Sequence, residues 1–368
     1  MNYFLINNNY HYIDFFGHKH LLLKKDTALI EIPHTLDKRN HDDIAVVYRY
    51  EIPHHKGLLS QIFKFLLTVK KINFEIHPVK EDILFFYTEY EILNQYLVDK
   101  FKRVGARAFL IEDGGLGTYV PFRMLASEPL SIKELLRRTV YRQLPGLKKT
   151  RLHKLNGVVF PWMPDTSIDG VCIYKPVKLQ RTFQAILLQR LHQTELAPIR
   201  GRVIFLNEAI YQFYQAEKEY LDGLELLIEG LCDKYVEVLF KFHPRETNEW
   251  RERIRKEVLS RFSAVAVIEE NSAIEIMIEK YRPSAVASYF CSALLSLSDR
   301  GIEPVYLYHL IPELNNQPIF IEITLVLKEL GYHFVSSLSE VGPGYKSGWL
   351  HRSNIQGAIT LAELVADR

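Results

Sequence analysis

The chain has 368 residues, 48% of them apolar and 24% charged, with a formal net charge of +2. That length exceeds one ordinary core and predicts two domains of globular composition. The near-balance of charge excludes a whole-protein pull toward nucleic acid. Three scattered cysteines, Cys172, Cys232 and Cys291, exclude a disulfide frame and point to a reducing compartment.

The N-terminal stretch from Met1 to Asn9 lacks a basic run followed by a long apolar one, so no signal peptide is read. No segment approaches the roughly 20 apolar residues that span a bilayer. The expected location is cytoplasmic, with peripheral attachment to the inner membrane open. Short apolar runs then alternate with amphipathic stretches, which predicts α/β units. Strands are expected at Tyr3–Ile6, Ala28–Ile32, Ile44–Tyr48, Ile83–Tyr87 and Ala106–Ile111, with helices at Leu58–Val69, Leu93–Val104 and Ile132–Leu144. From Leu135 to Gly157 there is no acid, but Arg137, Arg138, Arg142, Lys148, Lys149, Arg151 and Lys154 are present. Such a run is a solvated helix face or an electropositive strip for an anionic partner.

Thr182–His192 reads as a linking helix, and the boundary falls near residue 195, giving domains 1–195 and 196–368. The second half has expected strands at Val203–Leu206, Val236–Phe242, Val265–Ile268, Ala285–Tyr289 and Pro304–Tyr308. Its helices are expected at Glu217–Leu231, Glu249–Ser260, Ser272–Tyr281, Ser292–Ser298 and Ile321–Leu330. Two doubly wound halves facing across a cleft would bind ligands at the C-terminal ends of their strands.

Three strand ends carry chemistry. Phe109-Leu-Ile runs into Glu112-Asp113-Gly114, where a carboxylate beside flexible backbone suits a general base; by itself an Asp-Gly is also a turn. Val238-Leu-Phe-Lys241-Phe leads to His243-Pro244, an imidazole that suits a leaving phosphate, with Lys241 and Arg245 flanking it; alone, it is a satisfied strand-end histidine. Ala285-Val-Ala-Ser288-Tyr-Phe-Cys291-Ser292 offers a serine at a helix start, which cradles phosphate or simply caps the helix. Asn8 and His11, after the first strand, are candidate acceptor contacts or an ordinary polar turn.

These three segments, in this order, resemble the bacterial sialyltransferases, namely the lipooligosaccharide sialyltransferase and capsular polysialyltransferase families. Their motifs are acidic-acidic-glycine, then His-Pro, then a pair of hydroxyl residues. Here they read Glu112-Asp113-Gly114, His243-Pro244 and Cys291-Ser292. Cys291 departs from the pattern by standing where a hydroxyl is usual, with Ser288 as a substitute.

The resemblance implies a GT-B type fold, an α/β build of two Rossmann-like domains. It implies an inverting, metal-independent transfer from CMP-sialic acid to a lipooligosaccharide, capsular or polysialic acceptor. On this reading Asp113 is the base and His243 assists the leaving phosphate. Ser292, Ser288, Cys291, Pro244 and Lys241 attend the donor, and Glu275 holds its ribose. Glu112, Gly114, Asn8, His11, Arg142, Lys148 and Lys149 are expected on the acceptor side.

No cofactor beyond the donor substrate is expected, and the chain has no Asp-x-Asp, His-Glu-x-x-His or Cys-x-x-Cys spacing for a metal. The expected partners are CMP-sialic acid and a glycan, anionic or lipid-linked, with no nucleic acid. The alternatives are another nucleotide sugar on the same fold, or a non-catalytic nucleotide-sugar or glycan-binding protein.

Overall fold

The structure is a computed structural model, and it describes residues 1–17, 26–33, 44, 46–51, 57–113, 129–155, 158–177, 184–189, 197–211, 216–244, 246–270, 272–297, 300–348 and 357–366. The described residues form two compact α/β units: those up to 189 join 357–366, and 197–348 make the other.

In chain order the first unit contains β1 (Asn2–Ile6), α1 (Asn9–Gly17), β2 (Thr27–Glu31), β3 (Val46–Arg49), α2 (Leu58–Glu75) and β4 (Ile83–Phe86). Then follow α3 (Ile92–Arg103), β5 (Arg107–Ile111), α4 (Ile132–Gln143), β6 (Arg151–Leu155), β7 (Val158–Trp162), β8 (Gly170–Ile173) and β9 (Ala185–Gln189). The second unit has β10 (Ile199–Leu206), α5 (Glu217–Cys232), β11 (Glu237–Lys241), α6 (Asn248–Glu257), β12 (Val265–Ile268) and α7 (Ile274–Tyr281). It continues with β13 (Pro283–Ser288), α8 (Leu294–Leu297), β14 (Glu303–Tyr306), α9 (Pro312–Asn315) and α10 (Pro318–Glu329). Last, β15 (Ile359–Thr360) and α11 (Leu361–Ala366) return to the first unit.

The first unit's sheet runs β3-β2-β1-β4-β5-β8-β9-β15, and all its described pairings are parallel. Strands such as Phe4-Leu5-Ile6 and Ile83–Phe86 are buried on both faces, which is why they read as unbroken apolar runs. Phe4, Phe85 and Phe109 stack across adjacent strands with centroids 4.8 and 5.7 Å apart. The second sheet, β12-β11-β10-β13-β14, is also parallel throughout. Both orders reverse direction beside their first strand: at β1/β4 in one unit and at β10/β13 in the other. Such a reversal opens a crevice at the carboxyl ends of the strands.

Local signals set several boundaries. Ser131 and Glu134 form a reciprocal capping box that starts α4. After α4, Gly146 takes φ +74°, and a Cβ there would stand 2.8 Å from the Tyr96 Cα, so glycine is required.

Two expectations are corrected. Ala185–Gln189, read as part of a linking helix, is strand β9, paired in parallel with β8 and β15. Its run Ala-Ile-Leu-Leu is too short for periodicity to separate helix from strand, and burial in the sheet decides. The C-terminal segment does not belong with 196–368 either. Ile359 and Thr360 extend the first unit's sheet, and Leu361 and Leu364 enter its core beside Phe4 and Leu188. The antiparallel hairpin β6–β7 was not foreseen.

Candidate functional site

In the first unit, the chain leaves β1 through Asn7, a buried residue whose amide donates to the Ile32 carbonyl at 3.0 Å. Asn94 at the start of α3 donates back to Asn7 at 3.0 Å and to the Thr88 carbonyl at 2.9 Å, tying the β1 and β4 ends together. Asn8 then caps α1, its Oδ1 accepting the His11 backbone N–H at 2.9 Å. This sets the buried His11 ring flat against Tyr87, with centroids 4.3 Å apart and planes 9° from parallel.

The His11 ring has defined partners. Its Nδ1 accepts the Asn7 backbone N–H at 3.0 Å, so a neutral ring carries its proton on Nε2. That nitrogen lies 2.9 Å from Asp113 Oδ1, with the Asn8 amide nitrogen 3.1 Å away. Asp113, two residues beyond β5, keeps 29% of its side chain exposed. The arrangement holds a partly solvated carboxylate with one oxygen engaged by a buried imidazole, as a positioned general base requires.

Glu112, expected on the acceptor side, turns inward instead. It is buried and accepts the Tyr174 backbone N–H at 2.8 Å, anchoring the end of β8. The cause is alternation along the strand: consecutive residues point to opposite faces, so Glu112 and Asp113 part company. Tyr174 and Tyr87 each donate a hydroxyl to the buried Asp14 at 3.0 Å. Burial, reinforced by Asp14, keeps the Tyr87 phenol protonated far above its usual range.

Arg142, Lys148 and Lys149 are exposed at the end of α4 and in the turn after it. Arg142 donates to the Thr150 carbonyl at 3.3 Å, and none of the three enters the Asp113 network among the described residues. Gly114 lies outside the described residues, as does Arg245.

In the second unit the candidate groups gather where β10, β11 and β13 end. Asn207, after β10, is buried and donates to Glu246 and to the Tyr220 hydroxyl. Glu246 accepts the His243 backbone N–H at 2.8 Å, while Arg251 donates to the His243 carbonyl at 3.1 Å. The His-Pro turn is therefore clamped through its backbone on both sides, and the imidazole is half-buried. Pro244 is exposed. Lys241 is buried at the end of β11; loss of hydration and the nearby Arg251 lower its pKa.

Glu208 was not singled out in the sequence. It is buried beside Ser288, whose hydroxyl lies 3.1 Å from its carboxylate. Burial pushes Glu208 up to about 8, against the pull of Ser288 and of the Phe290 backbone N–H. Glu246 is likewise raised to about 7 by burial, against its bonds from His243 and Asn207. Glu208 thus stays largely protonated near neutral pH, while Glu246 is about half protonated there, which reduces the negative charge near the end of β11.

The third motif is built differently from the expectation. Ser288 is fully buried and donates to the Leu206 carbonyl at 3.0 Å, so its hydroxyl joins β13 to β10. Ser292 does not cap a long helix. It sits in a turn before the four-residue α8, and the N–H groups of Leu294, Leu295 and Ser296 are already bonded to Cys291, Ser292 and Ala293. Burial, then the charge of Glu208, raises the pKa of the half-buried Cys291 thiol, keeping it neutral. Glu275 is buried on α7 rather than exposed, close enough to Cys291 for its charge to act on the thiol. Among the described residues, no group of three or more His, Cys, Asp or Glu side chains could hold a metal ion, and no helix is long and apolar enough to cross a membrane.

The comparisons with known proteins give first a class: the chain is a glycosyltransferase, by a family model that matches residues 7–299. That model describes the alpha-2,8-polysialyltransferases (POLYST), and with well over half its length matched the chain belongs to this family. A search of curated proteins found no match.

Among solved structures, a UDP-GlcNAc 2-epimerase from Methanocaldococcus jannaschii is similar with a TM-score of 0.49 at 10% identity, over 100% of this chain and 98% of the other. A putative UDP-N-acetylglucosamine 2-epimerase from Listeria monocytogenes scores 0.48 at 10% identity, over 95% and 92%. MurG from Acinetobacter baumannii scores 0.43 at 10% identity, over 93% and 87%. At these scores and identities, neither donor nor acceptor is read across.

Proposed function

We propose that the protein transfers a sialyl residue from CMP-sialic acid to a glycan acceptor, with inversion and without a metal ion. The observation that carries this reading, within the family, is the Asp113 carboxylate held at 2.9 Å by the buried His11. Asp113 takes the proton of the acceptor hydroxyl as that oxygen bonds to the anomeric carbon. The bond from that carbon to the phosphate oxygen breaks, and CMP leaves with its electron pair. His243 donates a hydrogen bond or its proton to the departing phosphate.

His11 is a positioning residue: its Nε2–H occupies one Asp113 oxygen and turns the other toward the substrate. Lys241 and the turn around Cys291 and Ser292 provide the environment for the anionic donor, and Glu275 the contact for its ribose. The largely neutral Glu208 carboxyl spares the phosphate a repulsion that an ionised group would impose. The acceptor is anionic or lipid-linked, with Arg142, Lys148 and Lys149 on its path, and the enzyme works in the cytoplasm.

The test is CMP release from CMP-sialic acid, with and without a panel of galactosides and sialylated oligosaccharides. Acceptor-dependent release that vanishes in Asp113→Asn, while CMP binding persists, is the expected result. Near-normal turnover in that variant overturns the base assignment. Absence of CMP binding in the unaltered protein overturns the donor and directs the search to other nucleotide sugars.

A further inference from the structure

Helix α2 buries Phe65, Val69 and Ile72 on one face, the spacing of a helix lying on a sheet. Its opposite face should be polar, and it is not. Leu59 is 83% exposed, Phe63 64% and Phe74 83%, with Leu66 and Leu67 between them. At 100° per residue these side chains fall within about 100° of arc, a second apolar stripe turned away from the core.

Helix α4 repeats the feature, with Ile132 80% exposed and Leu136, one turn on, also exposed. The two helices are neighbours, since the Tyr141 hydroxyl of α4 donates to Gln61 Oε1 of α2 at 3.2 Å. Apolar side chains exposed to this degree on two neighbouring helices mark a contact site.

Charge identifies the partner. Residues 58–75 and 132–154 together hold eleven Lys and Arg against two Glu, a net +9 in a chain whose total is +2. Lys70, Lys71 and Lys133 are exposed on the same two helices. Apolar side chains level with lysines are what an anionic lipid surface accepts: the rings and aliphatic chains enter the acyl boundary and the ammonium groups meet the headgroups. A second copy of this surface would set like charge against like. A soluble polyanion would leave Phe63 and Phe74 in water.

We infer that the outward faces of α2 and α4 form a docking surface for an anionic lipid bilayer. This extends the proposed lipid-linked acceptor to a named surface. Because vesicle binding is measured without turnover, it stands or falls separately from the donor assignment.

The experiment is co-sedimentation of the full chain with phosphatidylcholine vesicles, with and without phosphatidylglycerol. Binding is expected only to the anionic vesicles and weakens as salt is raised. Phe63→Ser combined with Leu67→Ser and Phe74→Ser should lower the partition coefficient at least about tenfold while leaving the unfolding temperature in place, because the three side chains are exposed. The charge-reversed Lys70→Glu, Lys71→Glu, Lys133→Glu protein should lose binding without any change in apolar surface. Unchanged binding in both variants overturns the inference. So does failure of the unaltered protein to bind, including the case in which it forms a dimer that the serine variant dissociates.

Discussion

Raising the pH from 6 to 9 should destabilise the second unit through Glu208, and Glu208→Gln should abolish that part of the loss. The folded protein holds the Glu208 proton up to about pH 8, whereas the unfolded chain releases it near its ordinary 4.5. Folding therefore takes up a proton between those values. The stabilisation is complete below about pH 4.5, declines as pH rises, and stops declining above the folded value of about 8. One pKa unit corresponds to about 1.4 kcal/mol. Integrated from pH 6 to 9, the shift gives about 3 kcal/mol, which relaxation and water entry bring to about 1–3 kcal/mol. In a unit of this size that is about 3–10 °C of unfolding temperature. Scanning calorimetry of both proteins across that pH range measures it. Parallel pH profiles for the Glu and Gln proteins would refute the buried, protonated carboxyl, because glutamine keeps the acceptor for the Phe290 N–H and removes only the titration.

Three further outcomes are expected. His11→Phe keeps the ring against Tyr87 but deletes the hydrogen bond to Asp113, a bond to a charged group of about 1.5–3 kcal/mol; kcat should fall about 10- to 100-fold with the donor KM unchanged, and an unaltered kcat would remove His11 from the positioning role. Gly146→Ala should cost about 1–3 kcal/mol in urea unfolding, from its positive φ and the Tyr96 backbone in its path. Reversing Arg142, Lys148 and Lys149 to glutamate should raise KM for an anionic acceptor while a neutral galactoside is used as before; equal effects on both acceptors would take these residues off the acceptor path.

The parallel strands were legible because burial on both faces leaves only apolar side chains in them, and β1, β4, β5, β11 and β12 lie within a residue or two of their expected bounds. Strand β9 was not legible, since its five residues owe their conformation to the sheet that receives them. The hairpin β6–β7 had a signal that went unread, the Asn156-Gly157 pair between two alternating runs.

In the site, the strand-end motifs stood out, and their internal division of labour did not. Glu112 and Asp113 are adjacent letters with opposite fates, decided by the pleat. Asp113 and His11 are 102 residues apart, so no local pattern joins them. Ser288 looked like a ligand hydroxyl and is spent on the Leu206 carbonyl. Glu208 resembles Glu112 in the sequence, an acid just past an apolar strand, and that parallel is the signal by which the sequence could have pointed to it.

The return of the last strand and helix has a consequence for biosynthesis. Residues 359–365 complete a sheet edge and a core whose other residues all precede residue 190. The second unit, whose described residues form one stretch from 197 to 348, can finish folding as it leaves the ribosome. The first must wait with an open edge at β9 until segment 357–366 has been made. During that interval a nascent chain is exposed to mispairing at that edge, and a stop codon before residue 357 would damage the unit synthesised first rather than the one synthesised last.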